Sequence, residues 1–361
     1  MNVRKTSIAV LSIVLLLNAC KKVENTAIVQ PVEISPSIGA YVLSEGSTNN
    51  TKLSYYNKSN NTVIGDFYLQ QNPTKPAGLG SIGNDMILYG NKLYVVMNVS
   101  NVVTVLNASN AIFIKDISFV ANGVNKGPRY ATAARGKVYV SSSDGTVSVI
   151  DTVSLNITKT IIVGANPEGI AASANYLYVA NSGGFNFPNL DSTVSLVDLN
   201  TELEVKKIKV GLNPYKVEIN AGGNIFVSAY GNFSNIPASI SFINGATNIS
   251  SVNLGRNFSY SNIRISGDIA YLYNNYGGTG TAKVYNTATN TFVRNEFIAD
   301  GTIIQTPYGI NIDEQNGDVY IADAKNFVSA GSVTCFGSNG VKKFSFSVSP
   351  GVSPNTILFK R

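Results

Sequence analysis

The residues able to move a proton, hold a metal or attack a carbonyl are few in this chain, and their kinds set narrow limits. Its 361 residues include no histidine, no tryptophan and two cysteines, and only 13% carry charge. Without imidazole there is no Ser-His-Asp or Cys-His nucleophile, no His-ligated zinc and no histidine general base. Two cysteines cannot build a four-cysteine zinc or iron–sulfur site. Carboxylates, a few Lys and Arg, 19 Tyr and 16 Phe remain. Nothing in that set calls for a metal or a cofactor. The formal charge is +6, with no Lys/Arg run and no basic stripe interleaved with aromatics, which argues against a nucleic-acid partner.

These groups gain meaning from the elements that position them. A strand with a central aromatic recurs seven times, centred on Tyr41, Tyr94, Tyr139, Tyr178, Phe226, Tyr271 and Tyr320. Each copy is followed by an alternating segment such as Thr193-Val194-Ser195-Leu196-Val197-Asp198, an Asn/Asp-rich turn and a further strand such as Val205 to Val210. Period-two alternation between Gly, Asn and Asp turns predicts four-stranded antiparallel meanders, and no stretch has a helical period. The first strand of a unit opens on Pro, at Pro128, Pro167, Pro214 and Pro307, where no ladder donor is lost.

The first unit lacks that strand, and the missing copy lies at the other end of the chain. There Gly351-Val352-Ser353-Pro354-Asn355-Thr356-Ile357 parallels Gly164-Ala165-Asn166-Pro167-Glu168-Gly169-Ile170. Such a permutation seals a ring of blades and leaves no open seam between the termini. The expectation is an all-β, seven-bladed β-propeller over residues 38–361, closed by the C-terminal strand joining blade one. An eight-bladed ring or two unequal β domains are the alternatives. The repeated aromatics are expected in interblade packing and Cys335 as a small buried side chain. Asp151 and Asp198 are expected to cap turns.

At the N-terminus, a basic start, the apolar run Ile8 to Leu17 and Leu17-Asn18-Ala19-Cys20 read as a secretory signal; the run is too short to span a bilayer. The tetrapeptide resembles the lipobox of bacterial lipoproteins, although Asn18 departs from the commoner small or β-branched residue. The resemblance implies cleavage after residue 19 and a diacylated Cys20. Loss of Arg4 and Lys5 would leave 25 basic against 21 acidic side chains. Residues 20–37, broken by Pro31 and Pro36, read as a spacer. An outer-membrane anchor is expected, with its leaflet open.

The strings Leu177-Tyr178-Val179-Ala180-Asn181 and Val210-Gly211-Leu212-Asn213-Pro214 resemble the YVTN-type repeats of YncE-like propellers, over about residues 39–361. With the lipobox, the chain is also similar to Bacteroidetes surface lipoproteins that capture corrinoids such as cobalamin for a TonB-dependent transporter. The resemblance implies a monomeric, non-enzymatic binder of a small molecule or glycan, with a corrinoid as the sharpest candidate. A lactonase-like or quinoprotein-like enzyme and an envelope scaffold are the alternatives, because this fold hosts many functions.

In a meander, the loop leading into the first strand and the loop leaving the second share one face. That face collects the candidate ligand-binding residues Glu45, Asp85, Arg129, Tyr130, Glu168, Asn181, Tyr215, Lys216, Tyr230, Asn262, Tyr276, Tyr308 and Asp323. The longer loops also bring Phe185, Phe187, Phe233 and Phe327, as a planar amphipathic ligand would need. The charges there are mixed: Arg129 and Lys216 would oppose a divalent ion among the carboxylates.

Overall fold

The computed structural model describes residues 37–75, 77–252, 259–275 and 282–361. The signal segment, Cys20, most of the spacer and Tyr276 lie outside the described residues. Seven four-stranded antiparallel sheets make the body. From the channel outward, the strands of each blade are called A to D. In blade one these are Pro354–Lys360, Gly39–Ser44, Lys52–Asn57 and Thr62–Ile64. The A strands of blades two to seven are Gly83–Tyr89, Pro128–Ala134, Pro167–Ala172, Pro214–Ile219, Asn262–Ser266 and Pro307–Asp313.

Ring closure follows the permutation seen in the repeat. Strand Gly39–Ser44 pairs antiparallel with the C-terminal strand, from Gly39 opposite Lys360 to Leu43 opposite Thr356. Hydrogen bonds between the two ends of the described chain therefore complete blade one as a four-stranded sheet.

The seven repeated aromatics explain why the blades stand together. Tyr41, Tyr94, Tyr139, Tyr178, Phe226, Tyr271 and Tyr320 are all at most 5% exposed. Each belongs to an apolar cluster shared with the following blade: Tyr178 with Ile225 and Val227 of blade five, and Tyr320 with Val42 and Ile357 of blade one. Burying one such ring contributes about 2 kcal/mol or more. Some of their hydroxyls also reach the next blade, Tyr41 Oη donating to the Ala108 carbonyl at 2.9 Å and Tyr178 Oη to Asn248 Oδ1 at 2.8 Å. Outer strands are half wet: Ile157–Ile162 alternates partly buried and exposed positions, whereas Tyr176–Asn181, second from the channel, is buried along nearly its whole length. Cys335 is fully buried, and Asp151 and Asp198 accept backbone N–H groups of their own turns.

One element was not expected. Phe67–Gln71 forms a short α-helix, α1, between blades one and two. Asp66 caps it by accepting the Leu69 N–H at 3.2 Å, and Phe67 packs 5.0 Å from the Tyr55 ring. Five residues are too few to display a 3.6-residue period, so sequence patterning misses it.

A polar clamp lies at the end of the ring where the A strands finish. Ser37 Oγ donates to Asp313 Oδ2 at 2.5 Å, and the Lys58 ammonium bonds to both groups. The Asp313 side chain is wholly buried, and Lys58 sits 5.2 Å from the Phe359 ring centroid. Among the described residues no helix is long and apolar enough to cross a membrane.

Candidate functional site

The seven A strands surround a central channel with a cavity volume of about 1100 Å³. Repetition places equivalent residues at equal depth. Just inside the mouth stand Arg129, Glu168, Tyr215, Tyr308, Asn84 and Asn355, each one residue after the Pro or Gly that opens its strand. One residue further along come Asp85, Tyr130 and Lys216, and, in place of a larger side chain, Gly169 and Gly309. A Cβ on Gly169 would lie 2.4 Å from the Tyr215 carbonyl oxygen, so the glycine lets the A strands of blades four and five approach closely.

Charge in the channel is largely paired. Arg129 donates to Glu168 Oε2 through Nε at 3.0 Å and approaches it through Nη2 at 2.9 Å. Burial works against the guanidinium, yet Glu168 holds it firmly ionised. Deeper, Arg264 Nη1 lies 3.2 Å from Glu218 Oε1, and its Nη2 donates to Asn311 Oδ1 at 2.8 Å. Glu218 keeps Arg264 charged against the cost of burial.

Two groups stand outside these pairs. Asp85 accepts the Ala131 N–H at 3.0 Å, and burial pushes its carboxyl up to about 6, with Lys216 opposing the shift. The Lys216 ammonium sits 3.9 Å from the centroid of the Tyr130 ring, and burial lowers its pKa against the pull of Asp85 and Glu218. At the rim, Tyr308 Oη donates to Glu45 Oε2 at 2.7 Å. Burial raises the Glu45 carboxyl, with Tyr308 and Arg129 working the other way.

Aromatic rings lead from solvent to this interior. Phe233 stacks 5.7 Å from Tyr230, Tyr230 lies 4.7 Å from Tyr215, and Tyr215 meets Tyr130 edge-on at 5.8 Å with their hydroxyls 2.7 Å apart. Exposure falls along that ladder from 71% at Phe233 to 6% at Tyr130. Phe185 and Phe187 stand beside it, 73% and 66% exposed. Large rings left this open on the rim of a cavity make it a candidate binding surface. Across the mouth, Phe327 meets Tyr308 edge-on at 5.3 Å.

Of the residues expected at the mouth, Glu45, Asp85, Arg129, Tyr130, Glu168, Tyr215, Lys216, Tyr230, Asn262 and Tyr308 line the cavity. Asn181 and Asp323 do not. The Asn181 amide is fully buried, accepting the Gly164 N–H at 3.0 Å and donating to Ser195 Oγ at 2.9 Å. Asp323 accepts the backbone N–H groups of Gln305, Thr306 and Lys325, so it shapes the loops and leaves the cavity to others. Tyr276 lies outside the described residues. Sequence reasoning passed over Arg264, Glu218 and Asn311, two residues deeper on their strands. The signal was available in the alternation Asn262-Ile263-Arg264-Ile265, which carries a cation on an innermost strand.

Residues 38–357 match the family model described as "Domain of unknown function (DUF5074)". No curated protein matches the sequence. Among solved structures, the chain is similar to a quinoprotein alcohol dehydrogenase-like protein from Bacteroides thetaiotaomicron, at 15% identity and TM-score 0.65, over 90% of this chain and 79% of that one. It is also similar to the computationally designed protein Ika8, at 12% identity and TM-score 0.58, over 91% and 89%. Hydrazine synthase of Kuenenia stuttgartiensis resembles it at 19% identity and TM-score 0.55, over 70% and 76%. At these identities the likeness is one of fold.

Proposed function

The chain belongs to the DUF5074 family, and we propose that its propeller is a non-enzymatic capture module that takes a ligand with a broad planar or apolar face at the channel mouth. The ring ladder from Phe233 to Tyr130 carries this reading, because it offers stacking faces continuously from solvent to the interior. The cavity volume of about 1100 Å³ suits a ligand as large as a macrocycle. A corrinoid, with a flat ring edged by amides, is the specific ligand proposed. The pairing of Glu168 with Arg129, and of Glu45 with Tyr308, supports binding over a lactonase-like metal site, since these carboxylates are engaged with neighbours.

The proposal includes the address. A lipid on Cys20 would hold the body at the outer membrane, and the captured ligand would pass to a TonB-dependent transporter. Incorporation of labelled palmitate that is lost in Cys20→Ser supports the anchor, and retention of label in that variant rejects it.

The ligand is tested by titrating the purified protein with cyanocobalamin and following calorimetric heat and the visible spectrum. The expected Kd is about 1 μM or tighter, weakened at least tenfold in Tyr215→Ala/Tyr230→Ala. Absence of heat at ~50 μM protein rejects the corrinoid, since a Kd near 1 μM saturates well below that concentration.

A further inference from the structure

The channel holds three cations at its centre, and they are not equivalent. Arg129 and Arg264 each have a carboxylate oxygen within 3.2 Å. Lys216 has no carboxylate at salt-bridge distance and no hydrogen-bond acceptor for its ammonium among the described residues; it rests against the Tyr130 and Tyr215 rings. Asp85, the acid that acts on it most strongly, makes no ion pair with it and instead accepts the Ala131 and Met86 N–H groups. A part-buried ammonium without an anion at hand gains by acquiring one. Two tyrosine faces stabilise it in part and leave its remaining N–H directions to the cavity.

The position is also a built one. Strand Pro214–Ile219 is pressed against strand Pro167–Ala172 through Gly169, whose missing side chain allows the backbone of Lys216 to come close. The Lys216 N–H is held by Ser228 Oγ at 3.2 Å. Tyr130, over which the ammonium lies, is the innermost ring of the aromatic ladder.

We propose that Lys216 is an anion-recognition subsite: a ligand entering along the rings from Phe233 to Tyr130 delivers a carboxylate, sulfonate or phosphate group to the Lys216 ammonium. This inference rests on the capture reading and adds the charge of the ligand's leading group. The ligand is then an amphipathic anion whose flat portion lies toward the mouth and whose charged group lies deepest. Arg129 and Arg264 are neutralised by their own carboxylates, which leaves the Lys216 ammonium to meet the incoming charge.

The test uses naphthalene-2-sulfonate and its neutral near-isostere naphthalene-2-sulfonamide, titrated calorimetrically at pH 7.5 into the full chain and into Lys216→Met and Lys216→Arg. The expected result is sulfonate binding about tenfold or more tighter than sulfonamide in the native chain. Lys216→Met should bring the two within twofold of each other, and Lys216→Arg should keep the preference. Thermal unfolding of each variant establishes that it is folded. Equal affinity of the two probes in the native chain, or a sulfonate preference that survives Lys216→Met, overturns the anion subsite and leaves aromatic capture standing. Binding of neither probe overturns both.

Discussion

Replacing Arg129 by methionine removes a guanidinium and leaves its partner behind. Glu168 Oε2 would lose contacts at 3.0 and 2.9 Å, and the carboxylate, 14% exposed, would face Tyr130 and Tyr215 with no cation in salt-bridge contact. Breaking a fully buried pair costs about 3–5 kcal/mol, and an exposed pair is worth at most about 1 kcal/mol. With the Arg129 side chain 19% exposed to the channel, the loss should fall between those limits, at about 2–3 kcal/mol. For a domain of this length each kcal/mol lowers Tm by roughly 1.5 °C, so Arg129→Met should melt about 3–5 °C below the native protein. Glu168→Gln alone strands the guanidinium and should also destabilise. The double variant Arg129→Met/Glu168→Gln strands neither group and should recover at least about 1 kcal/mol relative to the sum of the singles. Calorimetric or circular-dichroism melts at pH 7 in 50 and 500 mM salt complete the cycle. Additive single effects, or a coupling abolished by salt, would refute the argument, because a pair inside the channel is shielded from counterions.

Three other expectations follow from contacts already described. Asp85→Asn should stabilise the protein at pH 7 by about 1–2 kcal/mol, since the native carboxyl, raised to about 6, carries a desolvation cost whenever it is ionised in the fold. For a raised acid that cost is relieved as pH falls from 6 toward 4, so the gain should vanish near pH 4; an equal gain at both pH values argues against it. Tyr178→Ala should cost about 3–5 kcal/mol by emptying the cluster between blades four and five, and Tyr178→Phe, which keeps the ring and loses the hydroxyl's bond to Asn248, about 1 kcal/mol. Gly169→Ala should lower Tm and weaken ligand binding together, because its methyl would collide with the Tyr215 carbonyl; a variant as stable as the native protein would show that the A strands can part without cost.

The ring was legible because its signals repeat. One aromatic strand proves little, but seven of them, with a misplaced Pro-led strand at the C-terminus, specify both blade number and closure. The mouth was legible for the same reason: equivalent positions in equivalent blades must share a depth, which brought Arg129, Glu168, Tyr215 and Tyr308 together in advance of any coordinates. Asn181 and Asp323 misled because an amide or carboxylate at a strand end has two uses, and here backbone N–H groups claim them. Their type and position are the same in either use. Arg264 and Glu218 lie deeper than the loop-proximal positions that the repeat brings to the mouth, although an arginine in an innermost strand is itself an anomaly. The ring ladder could not be read at all. Tyr130 and Tyr215 are 85 residues apart, and only the radius of the closed ring brings their hydroxyls to 2.7 Å.

The clamp of Ser37, Lys58 and Asp313 has a mechanical meaning. Strand Gly39–Ser44 runs from the clamp toward the mouth, flanked by Lys52–Asn57 on one side and Pro354–Lys360 on the other. Tension applied through the backbone at Ser37, away from the ring, pulls that strand along its own axis. Both ladders are then loaded in shear, and their hydrogen bonds must yield together; a pull across the sheet would break them one at a time. Asp313 shares the load with blade seven. A load entering at Ser37 therefore meets the ring at the seam that closes it, on the face opposite the mouth.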